Sequence, residues 1–277
     1  MLYQWIRLIN GADFSLDNQD DSKTVPMELE VGDYVYLGQY FPFNNFFAWV
    51  NTANENTSNL SVEYWANNQW VSAVDVLDAT SVDGKTFAKS GVVQFSPVKN
   101  KDSWSRVLDT SETNSTTPSE LNGFTIYDCY WVRLKVDANL STGTELKRIS
   151  YTFTDSQQLN KYDIEINSFM PAFEAGKADW IKEIITASEL MLGDLKGKGL
   201  VISRGQILRF DDVSSACDLK ALALIYSNLG KAYEEKRVRK ELEYEKAINL
   251  RRFTFDLNNN AVVDQGEIQF KTVRIVR

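Results

Sequence analysis

Hydrophobic and polar positions alternate in short runs along the first half of the chain. The runs are LYQWIRLI, DYVYLGQY, LSVEYW, QWVSAVDVL, GVVQFS, TIYDCYWVRLKV and LKRISYTFT. Turn-forming pairs such as Asn67-Asn68, Asp83-Gly84 and Asn122-Gly123 separate them,. Short alternating runs rich in β-branched and aromatic residues are typical of strands. The pattern therefore predicts an all-β sandwich or jelly roll over residues 1–154.

Near residue 155 the period changes to that of a helix. Over residues 174–196 the apolar positions recur every three or four residues, which predicts an amphipathic helix that ends at Gly197 and Gly199,. The predicted buried face consists of Ile181, Ile184, Ile185, Ser188, Leu192 and Leu195.

Two further helices are predicted after this one. The second starts near DDVSSACDLKALALIYSNLG, where Asp211 or Asp212 can cap it and Gly230 can end it,. Its middle, ALALIY, is apolar on almost every side and predicts the buried centre of a small domain. The whole chain is therefore expected to be α+β, with a β-sandwich domain over 1–154 that serves decoration or interaction. A small helical bundle with a terminal β-strand is expected over 155–277.

The third predicted helix, over about 231–251, is strongly charged. Residues 231–252 hold eight basic and five acidic side chains, and the apolar stripe is thin, chiefly Val238, Leu242 and Ile248. One interpretation is a solvated helix held by pairs such as Glu235–Arg239. The other is a helix whose charged faces meet another protein or a passage.

Aromatic residues make up 12% of the chain, and six of its seven tryptophans lie in the first half. Trp65 and Trp131 fall inside strand runs, so we expect them to be core residues. Trp49 follows the segment FPFNNFF and is the candidate for a surface ring. That segment is interpreted as a loop that buries itself against a neighbour.

Composition and motifs argue against an enzyme. The chain has no histidine, which removes the commonest general base and metal ligand,. Cys129 and Cys217 are expected in different domains as unpaired, buried residues, and they cannot build a zinc site. The formal net charge of −8 argues against general binding of nucleic acid,. The first ten residues predict neither a signal peptide nor a membrane span, and no apolar run is long enough to cross a bilayer.

FDLNNNAVVDQGEI has nearly the spacing of a calcium-binding loop. Oxygen ligands are required at positions 1, 3, 5, 7, 9 and 12 of such a loop. Ala261 replaces the usual glycine at position 6, and the charge is low, so any calcium binding should be weak,. The alternative is a hydrogen-bonded turn of the same shape, which asparagine side chains can close unaided. The side chains expected to converge are Asp256, Asn258, Asn260, Asp264 and Glu267. Calcium is thus the one cofactor considered.

The second half resembles the head–tail connector (adaptor) proteins of tailed bacteriophages. The resemblance rests on the order of ADWIKEIITASELMLGDL, ILRFDDVSSACDLKALALIYSNLG, KAYEEKRVRKELEYEKAINLRR and FDLNNNAVVDQGE. The strands of the first half are similar in style to β-sandwiches fused into phage structural proteins. Simple adaptors lack such a domain, so its role is left open.

The resemblance implies a structural protein of the virion neck, assembled in the host cytoplasm. Such adaptors form a ring, usually of twelve copies, between the portal protein and a tail or stopper protein. DNA passes through the ring without specific binding, and no membrane is involved. The terminal strand IQFKTVRIVR is expected to contact a neighbouring copy or the portal. Its candidate contact residues are Phe270, Val273, Ile275 and Arg277.

A competing interpretation assigns the activity to the first half. A carbohydrate-binding or receptor-binding β-sandwich of a phage particle would use the helices as an attachment base. Exposed aromatic rings in a groove of the sandwich would favour this alternative.

Overall fold

The computed structural model describes residues 6–9, 12–20, 22–40, 42–66, 69–96, 106–107, 129–208, 210–250, 253–258 and Glu267. These residues separate into two compact units. Tyr151 is the last residue of the first unit before the second begins at Thr152. The boundary lies three residues before the one expected from the change of period. The predicted α+β class is confirmed: antiparallel sheets form a sandwich in the first unit, and helices form the second. The predicted terminal β-strand lies outside the described residues.

Antiparallel strands build the first unit. In chain order they are β1 (Ile6–Ile9), β2 (Ala12–Asp13), β3 (Val25–Pro26), β4 (Val35–Gln39), β5 (Asn45–Thr52), β6 (Leu60–Ala66), β7 (Gln69–Ser72), β8 (Val74–Asp78), β9 (Gly91–Ser96), β10 (Arg106–Val107), β11 (Cys129–Val136) and β12 (Glu145–Ser150). One sheet has the order β2-β1-β4-β11-β6-β7, with β10 also paired to β11. The other sheet has the order β3-β12-β5-β9-β8.

Alternation along the strands creates the core of the sandwich. In β9 and most of β11 every second side chain is buried, as expected for a strand with one face toward the core,. Trp65 and Trp131 are buried, which confirms the prediction that they are core residues. Gly38 of β4 lies directly under the Trp131 ring. A Cβ there would come within 2.7 Å of the indole, so the close packing requires glycine,.

Two expectations about this unit are wrong. The run QWVSAVDVL is not one strand, because it divides at Ala73 into β7 of one sheet and β8 of the other. The segment FPFNNFF is not a loop that awaits a neighbour. Its residues Phe46 and Phe47 lie in the central strand β5 and are buried in this chain's own core. Trp49, the surface candidate, is half-buried in the same strand.

Helices build the second unit. They are α1 (Ser156–Leu159), α2 (Met170–Phe173), α3 (Ile181–Gly197), α4 (Phe210–Leu229) and α5 (Glu234–Leu250). Short 3-10 turns at Ile166–Phe169, Arg204–Gln206 and Lys231–Tyr233 connect them. Every residue of the predicted α3 face is buried. Gly197 and Gly199 end α3, and Gly230 takes a positive φ of 89° where α4 ends,.

Helix α4 is the core element of the second unit, as its apolar sequence predicts. Leu222, Ile225 and Tyr226 are buried, and α3 and α5 both pack against this helix. Asp212 does not precede the helix as a cap. It lies in the first turn, where its carboxylate accepts a hydrogen bond from the Thr254 hydroxyl. No helix in the described part of the chain is both long and apolar enough to cross a membrane.

Candidate functional site

The described part of the C-terminal loop is held closed by a carboxylate. Glu267 Oε1 accepts hydrogen bonds from the backbone N–H groups of Leu257 and Asn258, both at 2.9 Å. Asp256 and Glu267 are 2% and 8% exposed. The last position of the predicted loop therefore bonds to its second and third residues, and the convergence of all five predicted side chains stays a prediction.

Gln206 anchors this loop to the connector before α4. The backbone N–H of Asp256 donates to the Gln206 carbonyl oxygen at 2.8 Å. The Gln206 side-chain amide donates to the Leu257 carbonyl oxygen at 3.0 Å. Gln206 also closes a capping box with Ser203, so the 3-10 turn that holds the loop is itself fixed,. The loop thus has a defined origin on the helical unit.

A cation at this loop stays a prediction. Asn260 and Asp264, two of the five expected ligands, lie outside the described residues. Among the residues that are described, no group of three or more cysteine, aspartate or glutamate side chains could hold a metal ion. Because Glu267 Oε1 already accepts two backbone hydrogen bonds, the hydrogen-bonded turn remains an open alternative. The proposed contact residues Phe270, Val273, Ile275 and Arg277 also lie outside the described part.

Asp194 joins the three long helices at one point. Its Oδ2 atom accepts a hydrogen bond from the Tyr244 hydroxyl of α5 at 2.6 Å. The same oxygen pairs with Lys220 of α4 at 3.2 Å. The Lys220 ammonium also lies 4.4 Å from the centre of the Tyr244 ring,. Burial, and then the acceptor Asp194, raise the pKa of the Tyr244 hydroxyl, so it stays a donor.

Asp163 joins the segment before α2 to helices α4 and α5. It accepts hydrogen bonds from the Tyr226 hydroxyl and from Lys236, the latter at 3.0 Å. Burial alone would raise the pKa of Asp163, but the bonds from Tyr226 and Lys236 outweigh it. The pKa therefore lies below its usual value. Tyr226 also stacks on Tyr233, with ring centres 6.2 Å apart and planes 6° from parallel.

Asp218 of α4 is a buried carboxyl group with one neutral partner. It is 3% exposed and accepts a hydrogen bond from the Thr154 hydroxyl. Burial raises the pKa of Asp218 to about 6, although the bond from Thr154 acts in the opposite direction. At neutral pH the group is thus charged in a place that disfavours charge.

Cys217, beside Asp218, belongs to the same contact between the start of the unit and its helices. Its sulfur lies 3.3 Å from Ser188 Oγ of α3, and that hydroxyl accepts the backbone N–H of Phe153 at 3.1 Å. Burial raises the pKa of the Cys217 thiol to about 12, so it is a structural thiol and not a nucleophile,. Cys129 is buried in β11, and both cysteines therefore lie where the sequence predicts.

Helix α5 carries a dense set of charges that pair within the helix. Arg237 pairs with Glu234 at 2.6 Å and with Glu241 at 2.5 Å. Arg239 pairs with Glu243 at 2.9 Å. The general expectation of a helix laced by ion pairs is confirmed. The specific partner expected for Arg239 was Glu235, and that expectation is wrong because Arg239 bonds one turn toward the C-terminus.

The sandwich carries one aromatic cluster on its first sheet. The Arg133 guanidinium lies 4.2 Å from the Tyr34 ring centre and 4.7 Å from that of Trp70. Arg133 also pairs with Glu63, as does Lys135 at 2.6 Å. Burial would raise the pKa of Glu63, but the bonds from Lys135 and Arg133 lower it overall. A cation of the chain itself thus covers part of this aromatic surface.

Sequence patterns did not reveal the polar contacts of the helical unit. Asp163, Asp194 and Asp218 are separated from their partners by 63, 50 and 64 residues. One signal was present: Asp218 lies between Cys217 and Leu219 in the helix whose middle is predicted to be buried, where a charged side chain is unusual,. The other two lie at ordinary surface-like positions in the sequence.

No family model, curated protein or solved structure matches this chain.

Proposed function

We propose that this protein is a neck adaptor of a tailed bacteriophage. It forms a ring between the portal and the tail and extends the channel through which DNA passes. The portal protein, a tail or stopper protein and further copies of the chain are its partners. No catalytic step is part of this proposal.

The observation that carries the proposal is the arrangement of the second unit. A buried helix, α4, is covered by α3 and by the charged α5, and the loop that follows is tied back to the start of α4 by Gln206. This is the element order on which the resemblance to adaptor proteins rests. Asp194 and Asp163 bind the helices to each other, which suits a part that must keep its shape under load.

Charge supports the part of the proposal that concerns DNA. The chain has a formal net charge of −8. An acidic wall repels the phosphate backbone, whereas a DNA-binding surface collects lysine and arginine to neutralise it. Within α5 the basic side chains Arg237, Arg239 and Lys240 are matched by glutamates of the same helix. In this proposal DNA slides past without a specific contact because these cations are paired, although the Arg239 side chain is 77% exposed and residues 231–252 hold more basic than acidic side chains.

The sandwich acts as a peripheral domain in this proposal. The competing function, binding of a carbohydrate or receptor, would need aromatic faces open to a sugar ring. The rings of Tyr34 and Trp70 are instead covered in part by Arg133. Trp65 and Trp131 are buried. No observation on the described part of the sandwich favours the competing function over the neck adaptor.

The test is electron microscopy of the full chain mixed with the portal protein encoded by the same genome. We expect a ring of about twelve copies on the face of the portal that points to the tail. Immunogold labelling of intact particles should place the protein at the neck. Failure to bind the portal from low to high salt, together with its absence from the neck, would overturn the proposal. Strong binding on a glycan array would promote the competing function.

A further inference from the structure

Helix α5 has two different faces, and its predicted apolar stripe is split between them. Ile248 and Tyr244 are buried against the rest of the unit. Val238 and Leu242 lie about a third of a turn away around the helix, on an outer face, and are 40% and 58% exposed,. The expectation of one stripe with Val238, Leu242 and Ile248 is therefore wrong. Two apolar side chains one turn apart point away from the core that the helix helps to build.

This outer face also carries charges that no side chain in the described part of the chain pairs with. Glu235 and Lys246 lie on the same stripe as Val238 and Leu242, since the four positions are spaced by three or four residues,. Most charges of α5 pair within the helix. Among the described residues, neither Glu235 nor Lys246 has an ion-pair or hydrogen-bond partner. The apolar centre thus lies between Glu235 toward the N-terminal end of the face and Lys246 toward the C-terminal end, and Lys231 also lines the N-terminal end.

We propose that this face binds the same face of a second copy of the chain, with the two α5 helices antiparallel. In that alignment Glu235 of each copy lies opposite the partner's Lys246. The same alignment places Val238 opposite the partner's Leu242. In a two-fold antiparallel pair, positions at equal distances on either side of the centre face each other. Positions 238 and 242 are centred on position 240, and positions 235 and 246 are centred about half a residue after it. One register therefore satisfies the charges and the apolar centre together. A parallel alignment would instead place like charges opposite each other.

The charges beside the stripe agree with the antiparallel register. Arg239 and Glu243 lie one turn apart on one flank of the outer face and pair with each other. The two-fold alignment brings the partner's Glu243 close to Arg239, since these positions lie at nearly the same distance from the centre. Each arginine can then share two carboxylates.

The contact is small, so the pair is weak and reversible. Each copy contributes two apolar side chains and a rim of charges, which lies at the low end of specific interfaces. Salt should weaken it, because the rim pairs are exposed. The interface is also isologous and closes on two copies. It cannot build a ring, so this inference does not depend on the proposed function.

Sedimentation equilibrium of the full chain at low salt, up to about millimolar concentration, tests the pairing. The wild type should form dimers and no larger species by this contact. Glu235→Lys and Lys246→Glu should each weaken dimerisation at least about tenfold, because each creates two like-charged pairs in the symmetric contact. The double variant, Glu235→Lys with Lys246→Glu, should recover most of the wild-type affinity. Leu242→Ser should also weaken dimerisation, because it removes an apolar side chain from the centre of the contact and changes no charge.

Two controls separate the contact from general effects. Glu165→Lys changes the charge by the same amount as Glu235→Lys at an exposed site of the same unit, and it should leave dimerisation unchanged. Far-ultraviolet circular dichroism should show that every variant keeps its helices. A wild type that stays monomeric throughout overturns the proposal. Dimers that the single variants do not weaken, or that the double variant does not restore, overturn the antiparallel register.

Discussion

Two buried loop contacts of the sandwich and three helix contacts of the second unit rely on different polar groups. In the sandwich, amide side chains tie loops to strands. Asn18 exchanges two hydrogen bonds with the backbone of Ile149, and Asn54 donates to Ser58 and to the Thr86 carbonyl oxygen. In the helical unit, carboxylates take this role, with tyrosine, lysine and threonine as donors.

The difference teaches that these two sets of contacts should answer differently to pH, although the carboxylate of Glu63 in the sandwich also has a lowered pKa. An amide has no charge to lose between pH 4 and 8, so the contacts of Asn18 and Asn54 are unchanged over that range. The free energy of unfolding depends on pH wherever the pKa of a carboxyl group differs between the folded and the unfolded chain. Asp218 has a raised pKa, whereas Asp163 has a lowered one. In the helical unit, a rise in pH therefore lowers stability through Asp218 and raises it through Asp163.

The largest expected effect is the loss of stability of one unit while the other unit keeps its stability. Trp131→Ala removes a fully buried side chain from the sandwich and should lower its free energy of unfolding by about 3–5 kcal/mol,. The helical signal in circular dichroism should then melt at its original midpoint. Trp180→Ala, at a fully buried position in the helical unit, is the matched variant and should do the reverse. A shared loss of both signals in either variant would mean that the two units unfold as one.

A second change tests the buried carboxyl group. Asp218→Asn keeps an acceptor for the Thr154 hydroxyl and removes the buried charge. The pKa of Asp218 is raised in the folded state to about 6, so the fold loses stability as the pH rises from about 4 to about 6, and the loss is complete above that,. The variant should be more stable than the wild type by about 2 kcal/mol at pH 7.5. The gain should shrink as the pH falls through 6 toward 4, where the wild-type carboxyl is protonated as well.

Urea unfolding of both proteins at pH 7.5 and pH 4.5 measures that gain. Asn54→Ala in the sandwich provides the comparison, because its loss of stability should be the same at both values of pH. An Asp218→Asn gain that is equally large at pH 4.5 would contradict the assignment of the raised pKa.

A third change loosens the junction of the three helices. Asp194→Ala removes the acceptor of the buried Tyr244 hydroxyl and the partner of Lys220, and it should destabilise the helical unit by about 1–2 kcal/mol,. Asp194→Asn keeps one acceptor oxygen, so it should destabilise the helical unit less than Asp194→Ala does. Thermal melting followed at 222 nm measures both. Equal losses from the two variants would indicate that the ion pair, and not the tyrosine hydrogen bond, carries the contact.

The smallest effect concerns the closed loop. Glu267→Gln keeps one acceptor for the N–H groups of Leu257 and Asn258 but removes the charge. The free energy of unfolding should therefore change by less than about 1 kcal/mol,. Any calcium binding that calorimetry detects should have a Kd on the order of 10⁻⁴ M or weaker in the wild type and should be lost in the variant. Tight binding that survives Glu267→Gln would contradict a site at this loop, and no heat from either protein would leave only a turn.

Local pattern by itself determined the class of each half and several of its details. The alternation of side chains in β9 and β11 predicts strands because successive residues of a strand face opposite sides. The recurrence of Ile181, Ile184 and Ile185 predicts the buried face of α3 because a helix returns to the same side every 3.6 residues. Gly230 predicts a helix end because glycine adopts positive φ at little energetic cost.

Only the tertiary structure decided which of several possible partners each side chain met. The run QWVSAVDVL has the pattern of one strand, but two sheets were available to it, and it divides between them. Val238 and Leu242 have the pattern of a buried stripe, but α4 covers the face that holds Tyr244 and Ile248. Asp194 and Asp218 meet residues 50 and 64 positions distant along the chain. Periodicity reports which side of an element is apolar, whereas packing between elements decides which side is covered.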